Sequence, residues 1–168
     1  MSESQCLVVY YSRTGNTGRV AEALAERLKA DVEEVIDKKS RKGVLGFLGG
    51  GKDAKFKNMT DIEPTSRAPG DYQLVVIGTP VWASTMCPAI RTYIARHRGE
   101  MPRVAFFLTT GGSGIDKTFD HMEEACQKEP VARLGLKAKQ IKKDDWRSQT
   151  DRFAAQLGEE LGTDEEGV

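Results

Sequence analysis

Ser12-Arg13-Thr14-Gly15-Asn16-Thr17 is the stretch of this chain best equipped to hold an anion. It follows an apolar run, Cys6-Leu7-Val8-Val9-Tyr10-Tyr11, and precedes a helical pattern, Val20-Ala21-Glu22-Ala23-Leu24. A strand therefore ends in a hydroxyl-rich loop that opens a helix. The first backbone N–H groups of a helix have no partner within it and carry partial positive charge, which suits a phosphate. Ser12, Thr14 and Thr17 add hydroxyls, and Gly15 lets the backbone approach closely and take positive φ. No lysine is needed if the anion is one terminal phosphate.

Two further loops leave apolar runs. Leu74-Val75-Val76-Ile77-Gly78 is followed by Thr79-Pro80-Val81-Trp82-Ala83-Ser84-Thr85-Met86, which offers a large flat indole. Val104-Ala105-Phe106-Phe107-Leu108 is followed by Thr109-Thr110-Gly111-Gly112-Ser113-Gly114, which offers hydroxyls and open backbone to a planar polar ring. Each loop alone has an ordinary explanation: a helix cap, a packed tryptophan, a turn. Their order, each after a strand, describes a site for a phosphate, a linker and a flat heteroaromatic, the shape of flavin mononucleotide (FMN).

The positioning elements follow from periodicity. Strands are expected at about 5–11, 32–36, 74–78, 104–108 and, more weakly, 134–141. Helices are expected at about 16–30, 89–96, 116–129 and 145–161, with Pro88 opening the second and Pro130 closing the third. Continuous apolar strands alternating with helices imply a parallel sheet covered on both faces, in an α/β domain spanning 1–168. Residues 37–70 break the alternation as a basic, glycine-rich excursion, with a helix expected within about 52–58. It reads either as a surface excursion or as a flap whose apolar contacts are Phe47 and Leu48. Inside it, Gly46-Phe47-Leu48-Gly49-Gly50-Gly51-Lys52-Asp53 falls one residue short of the G-x-x-x-x-G-K-[ST] phosphate loop. Asp53 stands where a hydroxyl would ligate Mg²⁺, so no nucleoside triphosphate site is expected.

Lys+Arg and Asp+Glu are equal at 25 each. That balance gives no electrostatic reason to expect nucleic acid or an anionic membrane as the main partner. Met1-Ser2-Glu3-Ser4-Gln5 has no basic start before an apolar run, so no secretory signal is expected. Cys6, Cys87 and Cys126 are dispersed and form neither a metal cluster nor a disulfide framework, which fits a cytoplasmic setting. Cys87 and Cys6 are expected as packing residues, His97 as a helix-end residue, His121 as a solvated helical residue and Trp146 as an anchor of the last helix. Thr163-Asp164-Glu165-Glu166-Gly167 reads as an acidic tail.

At the three loops the chain resembles the flavodoxin family. Ser12–Thr17 fits the family's phosphate loop [ST]-x-[ST]-G-x-[ST], while Gly78–Trp82 and Thr109–Gly114 resemble its two ring-binding loops. The resemblance covers about 5–160 and implies a flavodoxin-like three-layer sandwich: a five-stranded parallel sheet of order 2-1-3-4-5 carrying non-covalent FMN. It assigns the phosphate to Ser12, Thr14, Gly15, Asn16 and Thr17. The ring would meet Thr79, Pro80, Val81, Trp82 and Ala83, with Trp82 stacked on one face. Thr109, Thr110, Gly111 and Gly112 would meet the pyrimidine edge or the other face. Three departures stand out. The chain is formally neutral, where free electron carriers are strongly acidic near the flavin. The second ring loop has Gly111 and Gly112 in place of an aromatic. Trp82-Ala83-Ser84-Thr85 has no glycine at the position beside N5, where positive φ would cost a non-glycine residue roughly 1–2 kcal/mol. The last departure tilts the expected chemistry toward two-electron transfer.

The resemblance implies a redox protein that passes electrons to a redox partner protein or a small electron acceptor such as a quinone. No catalytic side chain and no metal ligand are expected. Two alternatives stay open: an FMN-dependent NAD(P)H:quinone-type oxidoreductase, and a flavin-free binding or regulatory module. No G-x-G-x-x-G fingerprint supports a dinucleotide, and the oligomeric state is not legible.

Overall fold

A computed structural model describes residues 4–166, with side chains through residue 162. Five main strands form the sheet: β1 (Cys6–Tyr10), β2 (Asp31–Glu34), β3 (Leu74–Trp82), β5 (Arg103–Thr110) and β6 (Arg133–Lys137). They are parallel and ordered β2-β1-β3-β5-β6, and a two-residue β4 (Thr85–Met86) turns back antiparallel on the end of β3. Apart from that small strand, the order is the expected one.

Alternation along the strands builds two cores. Leu7, Val9, Val75, Ile77, Phe106 and Leu108 point to one face. There they meet Ile90, Tyr93 and Ile94 of α3 (Pro88–His97) and Phe119 and Met122 of α4 (Ile115–Cys126). Cys6, Val8, Leu74, Val76, Ala105 and Phe107 point to the other. They meet Val20 and Leu24 of α1 (Asn16–Leu28) and Phe153 and Leu157 of α6 (Arg147–Glu166). Trp146, just before α6, is buried in this second core under the guanidinium groups of Arg19 and Arg147, and so anchors that helix.

Three boundaries differ from expectation. The last strand stops at Lys137, where the short α5 (Ala138–Lys142) begins. Helix α6 runs through Glu166, so the backbone of most of the expected acidic tail is helical, and Gly167 lies outside the described residues. The largest difference is α2, which spans Gly43–Lys55 rather than a helix within about 52–58. Five glycines, Gly43, Gly46, Gly49, Gly50 and Gly51, count against that helix by propensity. Packing overrides propensity: Gly46, Gly50 and Ala54 recur every four residues on its inner side. A Cβ at Gly46 would strike the Arg41 backbone at 2.3 Å, and one at Gly50 would strike the Trp82 ring at 2.8 Å. The base of the excursion is pinned by an antiparallel bridge, Asp37 to Ile62, with Lys38 N–H donating to the Asp61 carbonyl at 2.9 Å.

Gly78 sits where β3 passes under Phe107, and an added Cβ would lie 1.9 Å from the ring. Overpacking of a buried position costs about 1–3 kcal/mol. Gly78→Ala is therefore expected to lower the unfolding free energy by an amount in that range, read as a lower urea unfolding midpoint. An unchanged midpoint would show that the Phe107 ring moves aside freely.

Candidate functional site at the carboxyl edge of the sheet

The three loops leave the same edge because their strands are in register, Tyr10 beside Gly78 and Gly78 beside Phe107. In the first loop, the Ser12 hydroxyl accepts the N–H groups of Gly15 and Gly18, each at 3.1 Å. Gly15 takes φ 102°. The Asn16 and Thr17 amides, at the first positions of α1, have no carbonyl four residues back to bond. They are N–H groups left open at the helix start. The Thr17 and Thr109 hydroxyls share a buried hydrogen bond of 2.8 Å, which ties the first loop to the third.

The second loop is a two-residue hairpin, Val81 paired with Met86 and Trp82 with Thr85. Ala83 and Ser84 form its turn with φ 51° and 61°. The lack of glycine therefore does not keep this turn out of the left-handed region: Ala83 and Ser84 adopt it themselves. Such a turn matches strand twist and is held despite the side-chain cost. Gly114, at φ 88°, packs so closely that a Cβ there would lie 2.8 Å from the Ser84 Cα. The third loop is closed by Thr110, whose hydroxyl donates to the Ser113 carbonyl at 2.8 Å and accepts the Gly112 N–H at 3.2 Å.

These loops enclose a crevice of about 190 Å³. Thr14, Asn16 and Thr17 line one end; Pro80, Val81 and Trp82 form an apolar wall; Thr109, Thr110 and Gly111 line the remainder. Of the other expected site residues, Ser12 and Gly15 shape the first loop, Ala83 the hairpin turn, and Gly112 the third loop, without lining the crevice. Thr79 is buried: its hydroxyl accepts the Cys87 N–H at 3.1 Å and positions the chain below the hairpin. Cys87 is buried too, and desolvation pushes its thiol up to about 11, so it is a packing residue. His97 lies at the α3 end against the Tyr93 ring. His121 is not simply solvated: its Nδ1 lies 2.7 Å from the Thr85 hydroxyl, which also accepts from Arg91 at 3.0 Å. Partial burial, then nearby Lys57 and Arg91, hold His121 below the ordinary histidine range.

Arg13, Phe47 and Ala138 join the crevice lining without having been assigned to it from sequence. Arg13 turns toward α2: its Nε donates to the Arg41 carbonyl at 2.7 Å, its Nη2 to the Gly43 carbonyl at 3.2 Å, and its guanidinium lies over the Phe47 ring. The indole of Trp82 has Gly50 against it and meets Tyr11 edge-on at 5.5 Å between centroids. Helix α2 is held there by a buried cation. Arg41 donates to Asp37 at 3.1 Å and to Asp53 at 2.7 Å, with its side chain 2% exposed. Within the motif-like stretch, Asp53 thus serves to hold α2, while Lys52 is exposed.

With this geometry in hand, the family is decided by a match to the family model described as Flavodoxin over residues 5–151. The chain belongs to the flavodoxin family. Among solved structures, this flavodoxin-family chain is similar to a putative flavoprotein from Bacteroides eggerthii (24% identity, TM-score 0.69, covering 90% of this chain and 99% of that one). It is also similar to a flavoprotein in complex with FMN from Lactobacillus acidophilus (22%, 0.67, 85% and 98%). A third likeness is to the two-electron reduced flavodoxin of Megasphaera elsdenii (16%, 0.57, 90% and 98%). At these identities the likeness concerns the fold. A search of curated proteins gives no match.

The Arg41 hydrogen bond, foremost, holds the Asp53 carboxyl down at about 2 against an ordinary 3.8. A carboxyl with a depressed folded pKa stabilises fully above its unfolded value and loses that contribution as pH falls through its folded value. Asp53→Asn is expected to cost about 2 kcal/mol in α2 docking at neutral pH. The difference from the parent protein should shrink as the pH is lowered from about 4 toward 2. Trp82 fluorescence in a Trp146→Phe background reads it; a difference that grows on acidification contradicts the clamp.

Proposed function

We propose that this protein binds FMN in the crevice and acts as a redox protein, handing electrons to a partner protein or a small acceptor. The observation that carries the reading is the convergence in one crevice of open helix-start amides, an apolar indole wall and a hydroxyl-lined far edge. The residues fit the group piece by piece. The Asn16 and Thr17 amides supply N–H donors at a helix N-terminus for a terminal phosphate, with the Thr14 hydroxyl beside them. Pro80, Val81 and Trp82 offer a dry surface to a tricyclic ring, and Thr109 and Thr110 bring polar backbone and hydroxyls to its polar edge. When bound, FMN supplies the electron-transfer chemistry, and the protein sets orientation, access and potential.

The chemistry of the lining supports redox work over acid–base or hydrolytic work. Among the residues lining the crevice, Arg13 alone is ionisable. Its guanidinium already serves the Arg41 and Gly43 carbonyls, so its part is to hold α2 over the crevice. No carboxylate, histidine or cysteine lines the crevice to move a proton or attack a substrate. Among the described residues no group of acidic, histidine and cysteine side chains is placed to hold a metal. Thr17 and Thr109 keep the two polar ends of the crevice at a fixed separation, and Ser12 keeps the helix-start amides open by satisfying their neighbours.

Adding FMN to flavin-free protein is expected to give a bound-flavin absorbance spectrum at one equivalent. Riboflavin, which lacks the phosphate, should bind at least about tenfold more weakly. Thr17→Val should weaken FMN by a similar factor, because it also strands the Thr109 hydroxyl. Protein that takes up no flavin contradicts the reading, and equal affinity for riboflavin contradicts the phosphate assignment. Steady-state oxidation of NADH or NADPH with a quinone then separates an enzyme from a carrier, which turns over little alone.

A further inference from the structure

The large hydrophobic residues that stand exposed among the described residues, Ile36, Val44, Leu45, Phe47, Leu48, Phe56 and Met59, all fall within residues 36–59. Helix α2 is inverted relative to an ordinary surface helix. Its inner side is Gly46, Gly50 and Ala54, and its outer side carries Val44 (76% exposed), Leu45 (85%) and Leu48 (60%). Val44, Leu48, Lys52 and Lys55 recur at i, i+4, i+8 and i+11, so the outward stripe is apolar in its first turns and cationic in its last. Protruding aliphatic side chains gathered in one patch mark an interaction surface.

Charge surrounds the patch. Lys38, Lys39, Lys42, Lys52, Lys55 and Lys57 are all exposed. The acidic side chains between residues 37 and 59, Asp37 and Asp53, are turned in on Arg41, with Asp53 also pairing with Lys39 at 3.3 Å. The neutral total of the chain conceals this local excess: residues 38–59 hold seven cations and one acid. Charge balance over the whole molecule was therefore a poor guide to this face.

We infer that α2 docks the protein peripherally on an anionic lipid bilayer, with Val44, Leu45 and Leu48 entering the headgroup boundary and the lysines pairing with lipid phosphates. Three considerations select this occupant. A symmetric contact with a second copy would set lysine collar against lysine collar. Protein interfaces are depleted in Lys, and Leu and Val are under-represented among their hot spots, yet these are the residues of the outward stripe of α2. Aliphatic residues beside lysines on an exposed helix are the makeup of segments that lie in a membrane interface, where long lysines reach back to the headgroups. The patch adjoins the candidate site through Phe47, which belongs to both, so docking would set the mouth of the crevice beside the lipid. No helix among the described residues is long and apolar enough to cross a membrane, so the association is at the surface. The inference stands without the cofactor reading, because Val44, Leu45, Leu48 and the lysines do not line the crevice.

Flotation of the full chain with vesicles of equal phosphatidylcholine and phosphatidylglycerol tests it, with pure phosphatidylcholine vesicles alongside. The protein is expected to float with the anionic vesicles at low salt, to release as salt rises, and to stay behind with the neutral ones. Leu45→Ser with Leu48→Ser should cut binding by about tenfold or more, and Lys52→Glu with Lys55→Glu should weaken binding and reduce its salt dependence. Because these side chains are exposed, melting temperature and FMN uptake should not change, which separates a failed docking face from a failed cofactor site. No flotation, binding that survives the double serine change, equal binding to neutral vesicles, or a Leu45-dependent dimer in sedimentation would each overturn the inference.

Discussion

Three parallel strands ending level with one another are the constraint on which the rest of this structure depends. With Tyr10, Gly78 and Phe107 side by side, the loops after β1, β3 and β5 have nowhere to go but the same edge. The strand order reverses between β1 and β3, and ligands of open α/β sheets sit at that reversal, a rule of which flavodoxins are themselves an example. Register also explains the glycine at Gly78: a side chain there would push β3 away from β5 through the Phe107 ring and open the level edge. The Thr17–Thr109 hydrogen bond then fixes the gap between two loops that backbone pairing alone leaves free.

The second constraint is the buried Arg41. A guanidinium taken out of water requires carboxylates, and Asp37 and Asp53 come from the two ends of the segment that α2 closes. Folding the excursion onto that cation brings Gly50 against Trp82 and Phe47 to the crevice. Arg13 adds the link to the first loop through the Arg41 and Gly43 carbonyls. The helix is thus part of the site's wall, and its small inner residues leave the large ones facing outward.

Much of this was legible in the sequence, for physical reasons. Continuous apolar strands such as Leu74–Ile77 and the amphipathic α1 and α4 declare themselves by period, and the hydroxyl-rich loop after β1 declares itself by its place between a strand and a helix. What escaped depends on distant partners. Helix α2 is rich in a residue type that disfavours helices, and only its fit to Trp82 and Arg41 explains it. The left-handed turn at Ala83-Ser84 is imposed by pairing of Trp82 with Thr85, against the preference of both residues. His121 looked solvated along its helix, yet the fold sets the Thr85 hydroxyl against it. Arg13 filled a variable position of the loop motif, and its role rests on carbonyls 28 and 30 residues away.

A crystal soaked with FMN measures the central claim directly, because it locates both ends of the ligand at once. The account predicts a phosphate within hydrogen-bond distance of the Asn16 and Thr17 amides, with the tricycle along Pro80, Val81 and Trp82. A crevice that stays closed by its own side chains, or a flavin bound away from Trp82 and the start of α1, contradicts it.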